Sequence, residues 1–258
     1  MRRILRPSLS RRLALLTLLV TVPPLLVGHL VLTDLASDYF VDAAKSKLET
    51  TASSLVDGID GWAEDVSDDL VYFCREADVV SMDPLSLRAA LVQMLATHPK
   101  ISYAHIIGPD GINVARGDDL PLKDFHDRAY FQRVMAGAPL VRETLLKARS
   151  SGHPALNHAA PINGPDGNVL GVVVFGVDLR RLCDVVDPAC YGHTGYSFVI
   201  NEEGRALAHP HFKNDTEPRD MTGLPPVRDI IRERASRASR FQDAQGVWWL
   251  AHAVPASN

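Results

Sequence analysis

Cysteine is scarce in this chain of 258 residues, with Cys74, Cys183 and Cys190 the only three. No C-x-x-C pair occurs, and the one ligand-like spacing, Cys190-x-x-His193, lacks a second pair to complete a zinc site. Also missing are G-x-S-x-G, a P-loop, H-E-x-x-H and Rossmann glycines, and no spacing nominates a Ser-His-Asp triad. The residues therefore point to no catalytic group, no metal and no cofactor. Basic clusters are missing beyond residue 33, where 22 Lys and Arg face 31 Asp and Glu for a net of −9. Such a surface is a poor nucleic-acid partner, because phosphate neutralisation needs clustered cations. A composition 46% hydrophobic and 22% charged argues against a wholly disordered chain.

Charge is absent altogether from Leu13 to Leu32, and acidic residues are absent before Asp34. Twenty helical residues rise roughly 30 Å, about one bilayer core, so this run can span a membrane once. Arg2, Arg3, Arg6, Arg11 and Arg12 precede it, while Asp34, Asp38 and Asp42 follow. Arginine bias toward the cytoplasm then puts residues 1–12 inside, a span at 13–33, and residues 34–258 in the periplasm or outside the cell, anchored in the inner (plasma) membrane. A cleaved signal peptide is the rival reading, although its apolar core is usually shorter and no A-x-A site follows Leu32. In an oxidising compartment Cys183 and Cys190, seven apart, could form a disulfide; the alternative is that all three cysteines are small buried residues.

Helix breakers are few from Leu35 to about Phe73, where Leu55, Ile59, Trp62, Val66, Leu70 and Phe73 form one helical stripe. Gly58 and Gly61 weaken it locally and mark a place for a bend. The stripe either pairs with a second copy or packs on its own domain. Asp83-Pro84 is a cap and first turn, and predicts a helix over Leu85–Ala96. Beyond it the chain repeats itself. YAHIIGPDGINVAR from Tyr103 and YSFVINEEGRALAH from Tyr196 match at an offset of 93, and HAAPING from His158 matches HAVPASN from His252 at 94. Each copy opens with a β-hairpin whose turn ends in glycine, Gly111 or Gly204. The first copy continues with a helix near 127–136 and strands near 140–147, 155–161 and 168–177. The second has a helix near 227–238 and strands near 240–242 and 247–254, and its last strand is expected beyond Asn258, leaving the second lobe incomplete.

DFHDRAYFQRVMAG (124–137), ALNHAAPINGPDGNVLGVVVFGVDLRRL (155–182) and GYSFVINEEGRALAHP (195–210) occur in the order of the double Cache domain, which the chain resembles. The resemblance implies an α+β fold: a transmembrane helix, a long helix, and two tandem PAS-like lobes with antiparallel sheets. Residues 34–182 would hold the long helix and membrane-distal lobe, and 183–258 the membrane-proximal lobe. It further implies a bacterial receptor that binds a small carboxylate-bearing metabolite, signals across the membrane, and forms a homodimer through the long helix. A non-binding dimerisation or interaction module is the rival function.

The resemblance assigns the carboxylate grip to Arg128, and a guanidinium fork suits a carboxylate on physical grounds alone. Tyr130 and Phe131 would wall the pocket. The bland alternative pairs Arg128 with Asp124 or Asp127. Asp178 matches the ammonium acceptor of the amino-acid-binding branch, or simply caps the turn beginning at Leu179. That branch expects tyrosine where this chain has Lys123 and tryptophan where it has Tyr130, which leaves organic acids at least as eligible as amino acids. His209 and His211 with His252 offer no completed metal site, and Trp248 and Trp249 read as one surface and one core aromatic.

Overall fold

The computed structural model describes residues 9–186, 188, 192, 194–212 and 217–256. Two units divide between Leu48 and Glu49. One helix, α1 (Leu9–Phe73), runs through the division and keeps helical form across Pro23, Pro24, Gly58 and Gly61. In the first unit the apolar side chains from Leu13 to Leu32 that are described stand mostly exposed, as a lipid-facing span requires. Its threonines hide their hydroxyls by bonding one turn back: Thr17 to Leu13 O (2.9 Å), Thr21 to Thr17 O (2.8 Å) and Thr33 to His29 O (2.7 Å). Polar groups satisfied within the helix suit a phase that offers no water.

In the second unit α1 is followed by α2 (Ala77–Val80) and α3 (Pro84–Thr97). Asp83 caps α3 as its sequence predicts, accepting from Ser86 N at 2.9 Å with Pro84 in the first turn. Then come β1 (Tyr103–Ile107), β2 (Asn113–Arg116), α4 (Ala129–Met135), β3 (Val141–Leu145), β4 (Ala155–Asn163) and β5 (Val169–Asp178). They form an antiparallel sheet in the order β2-β1-β5-β4-β3. One sheet face buries Ala104, Ile106, Ile162, Val173 and Phe175 against Val66, Leu70 and Phe73 of α1 and Leu87 and Leu91 of α3. The other buries Ile107, Val172 and Val174 against Tyr130, Phe131 and Val134 of α4.

These contacts correct one expectation about the long-helix stripe: Val66, Leu70 and Phe73 are buried in the chain's own core, so they cannot also be a pairing face.

A 3-10 turn (Leu179–Arg181) leads into α5 (Leu182–Val186), then β6 (Val199–Ile200), β7 (Ala206–Ala208), α6 (Pro225–Glu233), β8 (Arg237–Gln242) and β9 (Trp248–Ala253). The β1–β2 and β6–β7 hairpins carry the same bonds. Gly111 N donates to Gly108 O and Gly204 N to Asn201 O; Gly108 N donates to Ile112 O and Asn201 N to Arg205 O. Gly111 and Gly204 sit at φ +86° and +80°, a region that side chains with a Cβ disfavour. β6–β7 and β8–β9 are separate two-stranded sheets. The place that β5 takes between β1 and β4 has no counterpart among the described residues there.

α6 is shorter than its pattern predicts. Arg234 turns left-handed at φ 48° and ends it, and residues 237–238 join β8 instead, where Arg237 pairs with Ala253 and Ala238 with His252. Ladder bonds to β9 there outweigh the helical preference of an alanine- and arginine-rich stretch.

Candidate ligand site

Strand register gathers polar residues that lie far apart in sequence. Tyr103 pairs with Gly176, Gly176 with Asn157 and Asn157 with Glu143, while His105 pairs with Arg116 and Val174. Directly paired residues share a face, so these side chains stand on the side covered by α4. Tyr103 lays its ring flat over Gly176, where a Cβ would come within 2.0 Å of the ring, and its hydroxyl donates to Asn157 Oδ1 at 2.5 Å. Burial pushes the pKa of both Tyr103 and Tyr130 above the ordinary tyrosine value, keeping both phenols neutral.

Arg128 is the N-cap of α4, with extended backbone at φ −81° and ψ 133°. Its Nε is buried and has no hydrogen-bond partner among the described residues. Neither carboxylate that the sequence offers it is taken up: Asp127 pairs with Arg149 (2.8 and 3.0 Å), and Asp124 accepts from His126 N and sits 2.7 Å from its Nδ1. Arg128 lies near enough to Tyr103 and Tyr130 for its charge to favour their ionised forms. Glu143 accepts from Tyr130 N at 2.9 Å, fixing the start of α4 to the sheet.

Tyr130 and Phe131 are both buried in the apolar layer between α4 and the sheet. Lys123 donates its Nζ to Arg149 O at 2.7 Å, tying two loops together. Asp178 does cap the turn, accepting from Arg180 N at 2.9 Å, and its carboxylate also takes Arg180 Nε and Nη2 (2.5 to 3.1 Å). Burial alone would raise the Asp178 pKa, but these bonds hold it below the usual carboxylate value.

Several residues on this face escaped sequence reasoning. Arg116 is buried and grips Asp118 through Nε and Nη2, both at 2.7 Å. His105 is fully buried, its ring stacked 4.7 Å from Phe125 and 6.1 Å from Tyr103, and neither nitrogen has a partner among the described residues. The available signal was a histidine inside the run YAHII, a polar side chain among strand residues that are otherwise apolar.

Other expectations resolve simply. Trp248 is exposed under Arg240 and Trp249 is partly buried, donating to Asp243 Oδ2 at 2.7 Å. His209 and His211 have ring centroids 5.5 Å apart, while His252 Nε2 lies 2.8 Å from Ser236 Oγ. Cys74 is buried, which pushes its thiol up to about 12. Cys183 is buried also, and Cys190, its proposed bridging partner, lies outside the described residues.

A helix-backed antiparallel sheet with polar groups gathered under a short helix is the architecture of an α+β sensor module. The chain belongs to the Cache domain family, which matches residues 36–255. Its fold is similar to the ligand-binding domain of the Pseudomonas fluorescens chemoreceptor CtaA, solved with L-serine (TM-score 0.64, 15% identity, 81% of this chain and 88% of that one). It is also similar to the ligand-binding domain of the Pseudomonas aeruginosa amino acid chemoreceptor PctC, solved with GABA (0.58, 16%, 81% and 98%). The ligand-binding domain of Mlp24, solved with asparagine, matches at 0.61 and 15%, over 83% and 95%.

Proposed function

We propose that residues 34–258 are the extracytoplasmic sensor of a receptor anchored by the span at 13–33, with residues 1–12 in the cytoplasm. In this reading 34–182 hold the long helix and membrane-distal lobe and 183–258 the membrane-proximal lobe. The distal lobe binds a small carboxylate-bearing metabolite between α4 and the sheet, and the homodimer passes the change along α1 to an output beyond the membrane. The residues nominate no catalysis.

The observation that carries this reading is the buried, unpartnered Nε of Arg128. A buried donor without a partner is unfavourable by about 1 to 3 kcal/mol, and a guanidinium more, so the protein retains it where a ligand completes the bond. The amino acids named for the similar chemoreceptor domains each carry a carboxylate, which is the group a guanidinium fork takes in two parallel bonds.

Tyr130 and Phe131 line the apolar side of the site, and Lys123 and Asp178 act at its margins. A thermal-shift screen of organic and amino acids on the full chain in detergent tests this. A hit should lose its shift in Arg128→Ala, with affinity reduced about tenfold to a hundredfold or more. A shift that survives the substitution removes Arg128 from the mechanism.

A further inference from the structure

Charges around the start of α4 are mostly matched. Arg116 is held against Asp118 by two bonds, Arg149 against Asp127 by two, and Asp178 takes Arg180 through both carboxylate oxygens. At the margin Lys123 donates to Arg149 O, and Asp124 is occupied by His126. Two groups of opposite sign are left over, Arg128 and Glu143, and among the described residues neither makes an ion pair.

The two stand close together. Glu143 Oε2 accepts from Tyr130 N at 2.9 Å, and Tyr130 N is the second amide after Arg128. Peptide geometry then holds that oxygen within about 8 Å of the Arg128 Cα. The Tyr130 phenol lies near enough to both for the Arg128 charge to favour its ionised form and the Glu143 charge to oppose it. Both residues are half-buried, open to solvent in part as the structure stands.

A carboxylate has two oxygens and about four acceptor positions, and the one bond from a neutral amide leaves the Glu143 charge uncompensated. A ligand carrying only a carboxylate would satisfy Arg128 and bring a second negative group toward Glu143. Like charges juxtaposed in this way oppose binding. A ligand that also carries an ammonium turns the same proximity into attraction, with a charge-assisted bond at each end. Asp178 is the poorer acceptor, because the Arg180 guanidinium and the turn amide already fill it.

We infer that Glu143, and not Asp178, receives an ammonium group on the ligand, so that the distal lobe prefers amino acids over the same acids without the amine. The inference rests on Arg128 holding the carboxylate and adds the charge beside it.

Isothermal titration of the full chain in detergent tests it with matched pairs: alanine and propionate, leucine and 4-methylpentanoate, aspartate and succinate, 4-aminobutanoate and butanoate. In at least one pair the amino acid should bind about tenfold tighter or more than its deaminated partner. Glu143→Gln keeps an oxygen for the Tyr130 amide and removes the charge. It should bring the amino acid to within about threefold of the deaminated acid, whose own affinity holds or rises and still depends on Arg128. Asp178→Asn should leave the preference in place. A preference below about tenfold in every pair, one that survives Glu143→Gln, or one that Asp178→Asn abolishes overturns the inference and leaves the carboxylate reading standing. Should Glu143→Gln not fold, the Asp178→Asn result decides. Binding by none of the eight, or binding indifferent to Arg128→Ala, overturns the carboxylate reading and the inference with it.

Discussion

Ser67 on α1 and His158 on β4 meet in the core, with Oγ and Nδ1 2.9 Å apart. Arg142 Nε donates to the same hydroxyl at 2.9 Å, and the hydroxyl lies 2.9 Å from Ala63 O. A hydroxyl has one proton, so if it goes to Ala63 O, His158 carries its proton on Nδ1. Arg142 and His158 are register partners on the α1 side of the sheet, while their chain neighbours Glu143 and Asn157 are partners on the α4 side. The candidate site and the long helix thus touch adjacent residues of the same two strands. Ser67→Ala takes the hydroxyl from the buried His158 Nδ1 and the half-buried Arg142 Nε and should lower stability by about 1 to 3 kcal/mol, read as a lower melting temperature of the full chain.

Acid should weaken the fold well before the carboxylates titrate. His105 and His158 are pushed from an ordinary 6.5 to about 3 and about 4, chiefly by burial, with nearby arginines adding to it. Between those values and 6.5 the unfolded chain binds protons that the folded one refuses, so stability is full above about pH 6.5 and declines toward pH 4. Asp118 and Asp178, held below their ordinary 3.8, add their loss only at lower pH. Melting at pH 7.5 and pH 5.0 should show the drop, and His105→Phe should shrink it.

Gly176 exists for the Tyr103 ring. Gly176→Ala drives a methyl into the aromatic plane and should destabilise by about 1 to 3 kcal/mol or more. In a Tyr103→Ala background the same change should be nearly silent, a coupling that thermal melts of the four proteins measure.

Membrane orientation is open to direct test. Alkaline phosphatase fused after Asn258 should be active in a bacterial host, and a fluorescent protein that matures only in the cytoplasm should stay dark at the same point.

Pairing of two chains should use a part of α1 whose large apolar side chains stand exposed. Leu35, Tyr39 and Phe40 stand exposed, unlike Val66 and Leu70. Single cysteines across residues 35–47 should crosslink in membranes with a helical period, and cysteines in place of Val66 or Leu70 should not.

The exposed apolar stretch of α1, the capped α3, the two glycine-ended hairpins and the strands of the first sheet follow from hydropathy, capping and alternation, because those signals are local. The boundary between α6 and β8 does not, since the ladder with β9 is a contact between distant segments that a helical pattern cannot register. Arg128 was legible from its motif, but its buried and unpartnered Nε depended on Arg149, 21 positions away, taking Asp127. His105, Arg116, Asn157 and Glu143 share a face only because β1, β2, β4 and β3 pair in one register around β5. Sequence determines which residues alternate along each strand; which alternating sets face each other is a matter of strand pairing, and only the tertiary structure decides it.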